Sequence, residues 1–174
     1  MRTKLDYLFR SESPWITIGS GEAERVKWNT AHFYSKPGCN VCARRLRGNK
    51  MRCAQALMDE FAAVLQFFDG FGKNWNALRE CLEYLDEWMP ADAYVLVVER
   101  SEELLADDDA DQMTALLKTL HEVGDWWSKP VTNNDQFDRK EVPFHVLLNT
   151  SENGTASAGR IIELAKEIKV PVRP

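Results

Sequence analysis

A chain of 174 residues with 44% hydrophobic and 28% charged residues carries enough apolar material for one packed domain and is not disordered by composition. Its net charge of −5 argues against nucleic acid as the main partner. Residues 1–52 hold 11 Lys and Arg against 4 Asp and Glu, whereas residues 74–125 hold 3 against 14, a field that draws in cationic surfaces when it is not simply solubilising.

The opening MRTKLDYLFR lacks the apolar core of a signal peptide, and the longest apolar runs, such as YVLVV at 94–98, are too short to span a bilayer. Four cysteines are too few for a disulfide scaffold at this size, so the expected location is the cytoplasm. Residues 1–40 read as an irregular extension packed on a core, with one strand-like piece, WITIG, and a Pro-Gly loop at 37–38. Residues 41–52 hold an edge-like strand ending at Gly48-Asn49. CAQALMDEFAAVLQFF, 53–68, places Ala54, Leu57, Phe61, Val64, Leu65 and Phe68 at the three-and-four spacing of a helix with one buried face.

DGFGK, 69–73, breaks that helix, with glycine expected to free the backbone for a turn. Asn74 is a natural N-cap for the next helix, whose apolar stripe is Leu78, Cys81, Leu82, Leu85 and Met89. Asn76, Glu80, Glu83 and Glu87 fall on another face, and Pro90 is expected to end the helix. AYVLVVE at 93–99 suits a strand buried on both sides, and SEELLADDDADQ is an acidic connection. A third helix over 113–127, a polar loop over 128–142, a second buried strand over 143–150 and a terminal helix over 156–170 complete the order. Strands alternating with helices imply an α/β fold, here a small three-stranded parallel sheet.

Catalytic constellations are absent. His32, His121 and His145 lie in unrelated segments, and no nucleophile elbow, phosphate loop or dinucleotide fingerprint occurs. The Cys39–Cys42 pair has the spacing of half a metal site or a redox pair, but no second spaced pair accompanies it, and incidental thiols are the simpler reading. The aromatics around the glycine turn point elsewhere. Phe71 and Trp75 flank it beside Glu80, and aromatics ringed by charge are what protein interfaces use. Trp126-Trp127 would serve likewise or cap the core.

GFGKNWNALRECL, 70–82, resembles a segment of the barstar family, with Phe71, Gly72, Asn74, Trp75, Ala77, Leu78, Cys81 and Leu82 in register. The element order over residues 41–150 follows the family's as well, which leaves 1–40 as an extension and 151–174 as a C-terminal helical one. The resemblance implies a protein inhibitor, not an enzyme, that plugs the active site of a barnase-type ribonuclease or toxin nuclease without cofactor, metal, nucleic acid or membrane. It implies a partner-binding face of Phe71, Gly72, Asn74, Trp75, Asn76, Arg79, Glu80, Glu83 and Glu87, monomeric when free. Glu80 stands where the family has an aspartate that mimics phosphate; Asn76 and Arg79 replace a family aspartate and, in one member, a tryptophan. Glu83 sits four residues beyond Arg79, close enough to pair with it. The acid that relatives place on the third helix has no clean match; Thr119 falls near it, with Glu122 one turn on. Two alternatives remain open: the same scaffold turned to a basic partner that is not a nuclease, or a metal protein using the Cys39–Cys42 pair.

Overall fold

Two strongly apolar stretches set the architecture. AYVLVVE and FHVLLNT have side chains to bury on both sides, and each lies inside the sheet with nearly every residue buried. The computed structural model describes residues 6–20, 38–133, 136, 138–151 and 154–174. In chain order the strands are β1 (Ile16–Ser20), β2 (Val41–Arg47), β3 (Ala93–Glu99), β4 (Phe144–Thr150) and β5 (Val172–Arg173). The helices are α1 (Ala54–Leu65), α2 (Trp75–Glu83), α3 (Ala110–Trp127) and α4 (Thr155–Glu167). All strand pairs are parallel, in the order β2-β3-β4-β1-β5.

The sheet is therefore of the expected class but has five strands, not three. β2, β3 and β4 are the three expected ones, with β2 at the edge as its sequence suggested. The WITIG stretch supplies the fourth: Ile16 and Ile18 face Val146 and Leu148 in register, and Val146 N–H donates to the Trp15 carbonyl at 2.8 Å. The short β5 pairs with β1. The free edge that β4 would present in a three-stranded sheet is thus covered, which removes a template for unwanted strand pairing.

The pleat sorts side chains into two layers. One face carries rows of aligned residues such as Cys42, Tyr94 and Phe144, and all four helices pack their apolar stripes against it. The opposite face carries Val41, Ala43, Val95, Val97 and Leu147, against which Tyr7, Leu8 and Phe9 of a 3₁₀ turn lie. Cys42 belongs to the first layer and Cys39 to the second, so the two thiols turn away from each other and do not converge on a shared ion. Among the described residues no group of three or more His, Cys, Asp or Glu side chains is placed to hold a metal ion. His145 is wholly buried on β4, where its Nε2 meets the Arg10 carbonyl at 2.9 Å; His32 lies outside the described residues.

Much of the acidic run after β3 is consumed internally. Asp107 and Glu103 pair with Arg52, Asp108 accepts from Ala54 N–H at the start of α1, and Asp109 caps α3. On α1, Glu60 is only 5% exposed and is held by the Arg47 guanidinium at 2.8 and 2.7 Å and by the Arg47 N–H at 3.1 Å. The Arg47 hydrogen bonds hold the Glu60 carboxyl below its ordinary value, against the opposing pull of burial. A carboxyl depressed in the folded state stabilises above its unfolded pKa and loses that contribution as pH falls through the folded one. Glu60→Gln should therefore cost about 1–2 kcal/mol at pH 7 and flatten the loss of stability below about pH 4.5. Urea melts of both proteins at pH 7 and pH 3 check this; an unchanged pH profile would contradict it.

Candidate functional site

The glycine-rich connection between α1 and α2 builds the site, though not by the means its sequence suggested. The left-handed residues are Gln66 (φ 55°) and Lys73 (φ 46°), which bracket the loop, while Gly70 and Gly72 have ordinary φ. Gly72 instead gives room: a Cβ there would lie 3.1 Å from the Asn74 amide. Asn74 caps α2 as expected, accepting from Ala77 N–H at 2.9 Å and donating to the Gly72 carbonyl at 3.1 Å. Asn74→Ala should destabilise the protein by about 1 kcal/mol in denaturant melts; a loss near zero would mean the loop holds without its cap.

Beneath the loop, Phe67 packs edge-on against both Phe71 and Trp88, and the Trp88 indole donates to the Leu65 carbonyl at 2.9 Å. Phe71 is therefore part of the core, 8% exposed, and not the surface aromatic expected of it. Trp75 is half-buried, and its indole donates to Gln112 of α3 at 3.0 Å. Among the described residues the exposed aromatics are Phe68, at 62%, and Tyr84, at 46%.

α2 ends at Glu83, seven residues before Pro90, and a 3₁₀ turn (Leu85–Glu87) carries Glu87 beyond it. The end is set from outside the helix. The indole N–H groups of Trp126 and Trp127 donate to the Glu83 and Leu82 carbonyls at 3.0 and 2.9 Å. Those are among the carbonyls that a helix C-terminus leaves without partners, so tandem tryptophans on α3 both stop α2 and lock it in place.

A groove of about 880 Å³ runs along the outer side of this assembly. Of the expected residues it gathers Gly72, Arg79, Glu80, Glu83 and Glu87, and it leaves aside Phe71, Asn74, Trp75 and Asn76. It adds Tyr84, which helical periodicity did not single out, and Phe68, which the spacing placed on the buried face of the first helix but which lies beyond the end of α1 at Leu65 and is exposed. Arg79 lies 3.7 Å from Glu83 on its own helix and 3.3 Å from Glu122 on α3. Thr119, the other residue considered on α3, is buried. The Glu83 side chain is 16% exposed, and burial raises its carboxyl pKa; Arg79 works against that shift while Glu122 and Glu80 add to it. Glu80 is exposed, and among the described residues its carboxylate forms no hydrogen bond or ion pair. The groove thus offers one free carboxylate on a braced helix, a second held in reserve by Arg79, and an aromatic ring at either side. Carboxylates and aromatic rings so placed can accept cationic groups.

The model of the family described as "Barstar (barnase inhibitor)" matches residues 41–149, more than half of the chain and the whole stretch that carries β2 through β4 and the groove. No curated protein matches the chain. Among the described residues no helix is long and apolar enough to cross a membrane.

Proposed function

The chain belongs to the barstar family, and from that premise we propose that it binds a ribonuclease or toxin nuclease and blocks the active site with α2 and the loop before it. Family members are inhibitors and not enzymes, and they bind ribonucleases. The finer reading is an immunity protein, monomeric when free, that shares the cytoplasm with its nuclease.

One observation carries the reading: the Glu80 carboxylate projects from a helix whose two ends are both fixed, by the Asn74 cap and by the two tryptophan N–H groups. A nuclease active site is lined with Arg, Lys and His that hold a phosphate and its developing charge. A rigid carboxylate takes the phosphate's place there with charge-assisted bonds and loses little entropy on binding. Glu80 reaches one methylene further than the aspartate found in relatives, so the partner's pocket should be correspondingly deeper.

The test is a stoichiometric titration into RNA-cleavage assays with a barnase-type ribonuclease and a panel of toxin nucleases. Cleavage by the true partner should fall linearly to nothing at one equivalent. Full activity across the panel at several equivalents would defeat the inhibitor reading and favour a basic partner without nuclease activity.

A further inference from the structure

A second hollow, of about 690 Å³, adjoins the first and shares Glu83, Tyr84 and Glu87 with it. Asp86 stands on the same wall, and Trp126 and Arg139 form the opposite one. Val131 and Arg139 form an antiparallel bridge, exchanging backbone hydrogen bonds at 2.9 and 3.0 Å. Nothing in the sequence reading assigned this loop a role.

Arg139 shows what the aromatic ledge holds. Its guanidinium lies 4.4 Å from the Trp127 ring centre and 5.7 Å from that of Trp126. The hydrogen bonds it makes go to the carbonyls of Trp126, Lys129 and Lys140, not to the neighbouring acids. The ledge continues outward: the Tyr84 ring lies 6.0 Å from that of Trp126, tilted against it by 55°, and keeps nearly half its surface open. Asp86 and Glu87 line the same hollow as Tyr84; the charge of Asp86 also acts on Arg139, but neither carboxylate forms an ion pair among the described residues. The inner half of the ledge is filled by an arginine from the chain itself, and the outer half has the same ring chemistry with carboxylates added.

We propose that the outer half receives an arginine side chain of the partner, its guanidinium laid on Tyr84 and paired with Asp86 and Glu87. The partner's identity as a nuclease rests on the reading above; the arginine site does not. Arginine is favoured over lysine because its planar, weakly hydrated group stacks on a ring and forks to carboxylates, whereas an ammonium stays hydrated. The inhibitory face then extends past α2 to the Val131–Arg139 bridge, and a partner must present two cationic groups, one for Glu80 and one for Tyr84.

Tri-arginine amide and tri-lysine amide, equal in charge, test this at low salt against the ¹⁵N-labelled chain, followed by NMR. The arginine peptide should bind about threefold more tightly and shift the Trp126 indole N–H together with the amides of 84–87 and 131–139. Tyr84→Leu should erase the preference, bringing both peptides to the lysine affinity. Asp86→Asn, which leaves the ring untouched, should weaken both peptides, and Glu80→Ala should leave the preference intact. Equal affinities in the wild type, or shifts confined to residues 66–80, would overturn the proposal. Because no nuclease is present, that failure is distinct from a failure to inhibit RNA cleavage.

Discussion

Glu80→Ala should cost about 2–5 kcal/mol of binding to the partner nuclease, a loss of roughly 30-fold to several thousand-fold in affinity. The magnitude comes less from the contact itself than from what its removal leaves behind. A nuclease pocket closed over by α2 would hold cations cut off from water and from phosphate alike, and truncating the free carboxylate of α2 strands them. Glu83 does not substitute, because Arg79 already engages it and burial disfavours its ionised form. Folding should be nearly unaffected, since Glu80 is exposed and its carboxylate makes no bond among the described residues. Calorimetric titration of both proteins against the partner reads the difference, and a loss under about 0.5 kcal/mol would remove Glu80 from its role.

Gly124→Ala should destabilise the protein by about 2–4 kcal/mol. Gly124 sits in the middle of α3's buried face, where a glycine weakens the helix and needs a reason. The reason is Trp15: a Cβ on Gly124 would overlap the indole ring. The ring is fixed there by its N–H, which donates to Asp125 at 2.7 Å, and it immediately precedes β1. A methyl group at 124 must push the indole out, break that hydrogen bond and loosen the strand that covers the β4 edge. Urea denaturation gives the size of the effect. A variant as stable as the wild type would show that the seat of Trp15 on α3 does not matter to the fold.

The helices and central strands were readable because each declares its own period. α1 and α2 carry apolar residues at helical spacing, and β3 and β4 are continuous apolar runs. Asn74 was readable as a cap because the capping bond is local, reaching only three residues along the chain. The end of α2 was not readable at Pro90, because the groups that stop it are two indoles 43 and 45 residues further on. The same cause hid Tyr84: a helix running to residue 89 would have spread its carboxylates along one face, whereas the early stop turns Tyr84 outward and moves Glu87 onto a 3₁₀ turn. β1 was visible as a strand-like fragment, yet its partner β4 lies 130 residues away, and no local pattern points to it. The loop glycines misled for a related reason. Positive φ fell on Gln66, at the exit of α1, and on Lys73, just before the cap of α2, and not on the glycines between them.

The most direct measurement is a competition for the nuclease active site. A mononucleotide bound to the partner nuclease would be titrated with this chain and with its Glu80→Ala variant. If α2 fills the active site, the nucleotide is released one for one, and the variant needs at least about 30-fold more protein to release it. A stable ternary complex, with nucleotide and chain bound to the nuclease together, would contradict the blocking of the active site by this helix.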